Sequence, residues 1–145
     1  MSLKNEIIEG INNTKCAIVI HPNASISFEN LNSDNEDKFV NEVIQSQIKD
    51  IFNIVHCKSL PEPYVLVVDD AGLLKNLEPN ALASVFYGHI IVGKAIVFKE
   101  LCDDEHEGAY LALLDSADVH EMLLYLGMVA KKLAKEFGYS DEDNE

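Results

Sequence analysis

The stretch Tyr64-Val65-Leu66-Val67-Val68, followed by Asp69-Asp70-Ala71-Gly72, decides the fold. Five consecutive apolar residues indicate a strand that is buried on both faces, and therefore a central position in a sheet. The four residues that follow have the composition of a tight turn, in which Gly72 can adopt a positive φ. We therefore expect a sheet with this strand at its centre.

Patterns on either side of this stretch predict the other elements. Short apolar or alternating runs bounded by turn residues predict strands over 15–21, 26–28, 52–57, 90–92, 95–98 and 109–114. Helical periodicity predicts a short helix over 4–12 and three further helices: 37–50 capped by Asp37, 79–87 capped by Asn80, and a long one from Asp115 or Ser116 to about Phe137.

The order of these elements defines the fold class. Strands and helices are mixed, but no βαβ unit is repeated, which predicts an α+β fold with one mostly antiparallel mixed sheet, helices packed on it and a long C-terminal helix. We expect a single domain over residues 1–139 and a disordered acidic tail over residues 140–145.

Charge excludes several kinds of partner. The chain has 25 acidic and 11 basic residues, a formal net charge of −14, and every basic residue is lysine. Nucleic-acid recognition relies on arginine and on basic stripes, and anionic membranes repel acidic proteins. We therefore expect no direct binding to nucleic acid and no membrane association. Without a readable signal peptide, and with three widely spaced cysteines, the chain is expected to be cytoplasmic.

Four residues are candidate metal ligands. Asp69 and Asp70 follow a buried strand, where carboxylates often bind cations, although turn chemistry accounts for both residues. Cys102 and His106 lie in an acidic loop, but zinc sites need paired ligands at short spacing, and no second pair is present. The sequence favours a structural turn and a solvated loop over a metal site.

No catalytic residues can be assigned from the sequence. His56 and Cys57 are neighbours in a predicted strand, so their side chains point to opposite faces and cannot form a nucleophile–base pair. Phosphate-binding loops, dinucleotide glycine patterns and hydrolase elbows are absent from the sequence. We expect no cofactor, and the sequence favours a non-enzymatic role.

One segment resembles a known family. The residues 67–84, Val-Val-Asp-Asp-Ala-Gly-Leu-Leu-Lys-Asn-Leu-Glu-Pro-Asn-Ala-Leu-Ala-Ser, and the later 91–97, Ile-Val-Gly-Lys-Ala-Ile-Val, resemble the bacterial and phage family named domain of unknown function 3846. Two features depart from that family: the turn has an additional residue between Leu77 and Pro79, and the C-terminal helix is long. The resemblance implies a small accessory protein of phage, prophage or plasmid context, and it assigns no catalytic residue.

Three functions remain open. The first is an accessory protein that acts by binding another protein. The second is a DNA mimic that inhibits a nucleic-acid-binding protein, which the acidic charge suggests. The third is an enzyme or small-molecule binder with its site at the Asp69-Asp70 turn. We favour the first because no motif supports chemistry.

The predicted C-terminal helix has more apolar residues than one buried stripe requires. The stripe for the sheet is expected to be Val119, Met122, Leu123, Leu126, Val129 and Leu133. This leaves Leu124, Tyr125 and Met128 as a second apolar surface beside Gly127. Such surfaces usually mark interfaces, so we expect a homodimer with C2 symmetry joined through this face. The alternative is that the segment containing Ile7, Ile8 and Ile11 covers it within one chain.

Overall fold

The computed structural model describes residues 15–49, 51–72 and 75–136. These residues form six strands and three helices, in the order β1 (Cys16–Ile20), β2 (Ile26–Asn30), α1 (Glu36–Gln47), β3 (Phe52–Val55), β4 (Tyr64–Asp69), α2 (Ala81–Tyr87), β5 (Ala95–Cys102), β6 (Ala109–Ala112) and α3 (Ser116–Glu136). The predicted helix over 4–12 and the acidic tail over 140–145 lie outside the described residues.

All six strands belong to one antiparallel sheet. The strand order is β2-β1-β5-β4-β3, and β6 pairs with the C-terminal half of β5, so that Lys99 lies opposite Ala112. The α+β class, the antiparallel sheet and the long last helix are thereby confirmed. β4 is buried as expected, but β5 rather than β4 is the middle strand.

Helices cover both faces of the sheet. Side chains alternate along each strand, so Val65 and Val67 point to one face while Leu66 and Val68 point to the other. The first pair packs with the apolar residues of α1. The second pair packs with α2 and α3, where Phe86 is fully buried. The sheet is therefore the middle layer of three.

Two local predictions were wrong. Asn35, not Asp37, caps α1, because its side-chain oxygen accepts the amide of Lys38 at 3.0 Å. Residues 90–92 do not form a strand, since only Val92 makes a β-bridge, with Pro79. That bridge closes the loop between α2 and β5 against the chain that leads into α2.

Candidate functional site

The Asp69-Asp70 turn uses its first carboxylate for its own structure. Asp69 Oδ1 accepts the amide of Ala71 at 2.8 Å, and Oδ2 lies 2.7 Å from Lys75 Nζ. The Asp70 side chain is exposed, and its amide donates to the carbonyl of Ile51 at 2.9 Å. Both residues border a cavity of about 370 Å³ at the end of β4. The turn is thus held by contacts that involve Asp69, while Asp70 remains accessible.

The acidic loop after β5 is organised around His106. Its Nδ1 lies 2.8 Å from Asp103 Oδ1 and its Nε2 lies 3.1 Å from Asp37 Oδ2, while its ring stacks on Tyr110 with the centroids 3.6 Å apart. Carboxylates only accept hydrogen bonds, so both ring nitrogens donate when His106 is protonated. The cationic ring therefore ties the loop to the first turn of α1. Cys102 was predicted in this loop but is the exposed last residue of β5, where it pairs with Ala109.

These contacts shift two pKa values in opposite directions. Hydrogen bonds that His106 donates to the carboxylates of Asp103 and, to a smaller extent, Asp37 raise the pKa of His106. The hydrogen bond from His106 lowers the pKa of Asp103 to about 2. The loop therefore contains an ion triad that exists only while the imidazole is charged.

We expect the contribution of His106 to stability to depend on pH. Because its pKa is raised by folding, the contribution is complete below the unfolded-state value of about 6.5 and is lost as pH rises through the folded-state pKa. The substitution His106→Gln will lower the melting temperature at pH 5.5 and have less effect at pH 8.5. Thermal melts at both values check this, with His120→Gln, an exposed histidine on α3, as the control. Equal losses at both pH values would contradict the expectation.

The metal-ligand candidates are spread over two sites. Asp69 and Asp70 are adjacent at the end of β4, whereas Cys102 is the last residue of β5 and His106 lies in the loop that follows. No group of three or more histidine, cysteine, aspartate or glutamate residues within the described chain has the arrangement of a metal site. Both His106 nitrogens already contact carboxylates, so the loop contains a cluster of ion-paired side chains.

A cavity of about 530 Å³ contains His56, Cys57 and Cys102 in its wall. Burial raises the pKa of the Cys57 thiol to about 11, so it is protonated at neutral pH and is a poor nucleophile. His56 lies 2.8 Å from Glu100 Oε1 at the rim. The thiol contacts the carbonyl of Val55 at 3.9 Å, and this contact does not provide a base that could activate it.

A polar network that sequence patterns did not indicate fixes the start of α3. The single proton of the Tyr64 hydroxyl is shared between two carboxylate oxygens, Asp118 Oδ1 at 2.9 Å and Glu121 Oε2 at 3.1 Å. Lys99 Nζ lies 2.7 Å from Asp118 Oδ2.

The network shifts the pKa values of its members. Burial raises the pKa of Tyr64, and the contacts with the two carboxylates raise it further. Burial alone would raise the pKa of Asp118, but the hydrogen bond from Lys99 and further donors lower it. The network orients α3 on the sheet.

The side of α3 away from the sheet is apolar in its middle. Met122, Leu126 and Val129 are buried against the sheet. Leu123, which was assigned to the buried stripe, is 41% exposed, so that assignment was wrong. Leu124 and Met128 are 58% and 67% exposed, whereas Tyr125 is half-buried and packs at the margin of the core. We call Leu123, Leu124, Gly127 and Met128 the outer face of α3.

Comparisons with known proteins do not identify the chain. No protein-family model, curated protein or solved structure matches it. The resemblance of residues 67–97 to a phage and bacterial family therefore stays a prediction. In the described part of the chain, no helix combines the length and apolar character that crossing a bilayer requires.

Proposed function

We propose that this protein is an accessory protein that acts through protein–protein binding and that it associates with a second copy of itself through the outer face of α3. The observation that supports this most directly is the exposure of Leu124 and Met128, one helical turn apart on the same side of α3. Exposed apolar clusters on monomers are small unless they bind something.

The middle of this face accommodates close approach by another helix. A Cβ atom added to Gly127 would have no described atom within 4 Å. Leu124 and Met128 both lie on the same side of Gly127, at about 60° and 100° from it around the helix axis, so the missing side chain leaves room beside them. A partner helix crossing at Gly127 buries both side chains.

The charges of α3 suit pairing with an antiparallel copy. Its first half carries Asp118 and Glu121, whereas its last turns carry Lys131, Lys132 and Lys135. Glu121 contacts the neutral hydroxyls of Tyr64 and Tyr125, and no lysine in the described part of the chain forms an ion pair with it. A C2 axis perpendicular to the helices places the basic end of each beside the acidic start of the other. The same surface is therefore complementary to itself.

The double variant Leu124→Glu, Met128→Glu tests the proposal. We expect the wild type to sediment as a dimer at high micromolar concentration and the variant to sediment as a monomer, because four carboxylates meet in the apolar contact. The matched control is Ile51→Glu, Ile90→Glu, which replaces two equally exposed isoleucines away from α3 and adds the same charge. We expect the control to remain dimeric.

Two results would oppose the proposal. A wild type that stays monomeric over the whole concentration range excludes the homodimer and favours coverage of α3 by another part of the chain. Equal dissociation of both double variants would mean that added charge alone, and not the outer face of α3, decides association. Circular dichroism of each variant verifies that the fold is retained.

A further inference from the structure

The edge strand β3 presents backbone groups that the sheet does not use. It pairs with β4 on one side, and no strand of the described chain lies on the other. The Asp70 amide donates to the Ile51 carbonyl, so these two residues form a hydrogen-bonded pair. Such pairs alternate with non-hydrogen-bonded pairs along an antiparallel ladder. The register therefore directs the N–H and C=O groups of Phe52 and Ile54 away from β4.

β3 lacks two of the usual protections of an edge strand, a charged side chain and a proline. Natural edge strands contain charged residues, proline or bulges that prevent another strand from adding. β3 has the sequence Phe-Asn-Ile-Val, which contains no charge and no proline. At the opposite edge of the sheet, β2 contains Glu29. The two edges therefore differ in their capacity to accept a strand.

Cavities flank β3 on both faces of the sheet. On the α1 face, Phe52 and Ile44 border two cavities of about 310 and 580 Å³. On the α2 face, Asn53 and Val55 border the cavity of about 370 Å³ together with Tyr87. Successive side chains of an extended peptide point to opposite faces. A strand added to β3 would thus place alternate side chains in cavities on either side, as in known cases of strand addition.

Charge indicates what kind of strand fits. Asp69 and Asp70 border the cavity on the α2 face, and Asp37 and Glu100 border the smaller cavity on the α1 face. Asp69 is paired with Lys75, but Asp70 is exposed to an incoming side chain. The net charge of −14 additionally favours cationic partners at long range. A lysine or arginine beside Asp70 complements this edge.

We propose that the outer edge of β3 binds an extended segment of a partner protein as an added strand. The segment has apolar side chains for the cavities on both faces and a lysine or arginine that meets Asp70. Its backbone completes the hydrogen bonds of Phe52 and Ile54. This surface is separate from the outer face of α3, so each can fail without the other.

A short peptide tests the edge directly. The probe is fluorescein-labelled Lys-Val-Leu-Thr-Val-Lys with blocked ends, whose binding is followed by fluorescence anisotropy. We expect Phe52→Lys to weaken binding at least about tenfold, because a lysine on an edge strand opposes strand addition. The matched control is Phe28→Lys on β2, since Phe28 and Phe52 are 42% and 40% exposed on opposite edges. It should leave binding within about twofold of the wild type.

A second probe separates backbone pairing from apolar adhesion. Proline in place of the leucine removes a backbone donor and should abolish binding to the wild type. Any of three results would overturn the proposal: no binding of the first probe to the wild type, equal binding of both probes, or equal losses in the two lysine variants. Sedimentation completes the test, because a dimer that dissociates only in Phe52→Lys would mean that a second copy occupies the edge.

Discussion

Replacing Asn80 with alanine will lower the free energy of unfolding by about 4 kcal/mol, because the loss of a cap and the loss of two buried hydrogen bonds to carbonyls act together. Asn80 has no exposed surface. Its Nδ2 donates to the carbonyls of Ile20 and Gly93 at 2.9 Å each, and its Oδ1 accepts the amide of Ala83 at 3.1 Å. Alanine replaces none of these contacts.

Urea unfolding of Asn80→Ala and Asn35→Ala measures the effect and its control. Both asparagines cap a helix with nearly identical backbone angles, but Asn35 is exposed and its side-chain oxygen caps through a single accepted bond. We expect Asn35→Ala to cost about 1 kcal/mol, the usual loss for an exposed cap. Similar losses at both positions would mean that the contacts of Asn80 with Ile20 and Gly93 contribute nothing.

Asn80 also has a structural role within the segment whose sequence resembles a known family. Within residues 67–97, the Asn80 amide donates to the carbonyl of Ile91 at 2.8 Å, and the Gly93 amide donates to Glu78 at 2.7 Å. Pro79 and Val92 form a β-bridge between these contacts. The motif therefore holds α2 and the start of β5 together at the end of β1. Asn80, Val92 and Gly93 thus have structural roles in this segment, and Asp70 is an accessible polar group.

The elements predicted best are those whose signal is local. The apolar run of β4 and the periodicity of α3 each specify their element without help from distant residues. The role of Asn80 as a cap was also predictable, because Pro79 and the following apolar residues mark a helix start. Its hydrogen bond to Ile20 was not predictable, since that bond joins positions 60 residues apart in the chain.

Strand order is the main property that sequence did not supply. Residues 52–57 were predicted as a strand, but nothing local indicated that β3 is an edge, because its neighbours are decided by the packing of the whole sheet. The candidate binding edge therefore became visible only with the structure. The excess of apolar residues on α3, in contrast, was predictable from the sequence. Whether Leu123 faces the sheet or the outer face depends on the rotation of the helix about its axis, which the contacts of Asp118 with Tyr64 and Lys99 set.

Replacing Gly93 with alanine will cost about 3 kcal/mol, the sum of backbone strain and overpacking. Gly93 has φ of 79°, a conformation that residues with a side chain rarely adopt. A Cβ atom at this position would lie 2.8 Å from Leu77 Cδ1, so Leu77 has to move. Since the Gly93 carbonyl also accepts a bond from Asn80, any displacement of this turn loosens the buried asparagine as well.

The control for Gly93→Ala is Gly108→Ala in the loop after β5. Gly108 has φ of 83°, but an added Cβ would have no neighbour within 4 Å, so only the backbone strain of about 1 kcal/mol is expected. Urea unfolding of both variants measures the difference, which reports the contact with Leu77. In a double-mutant cycle, Leu77→Ala and Gly93→Ala should be non-additive, with a combined loss smaller than the sum, because the smaller side chain makes room for the new methyl. Equal losses of unfolding free energy at Gly93 and Gly108, or simple additivity in the cycle, would show that Leu77 can move away from the new methyl group without destabilising the fold.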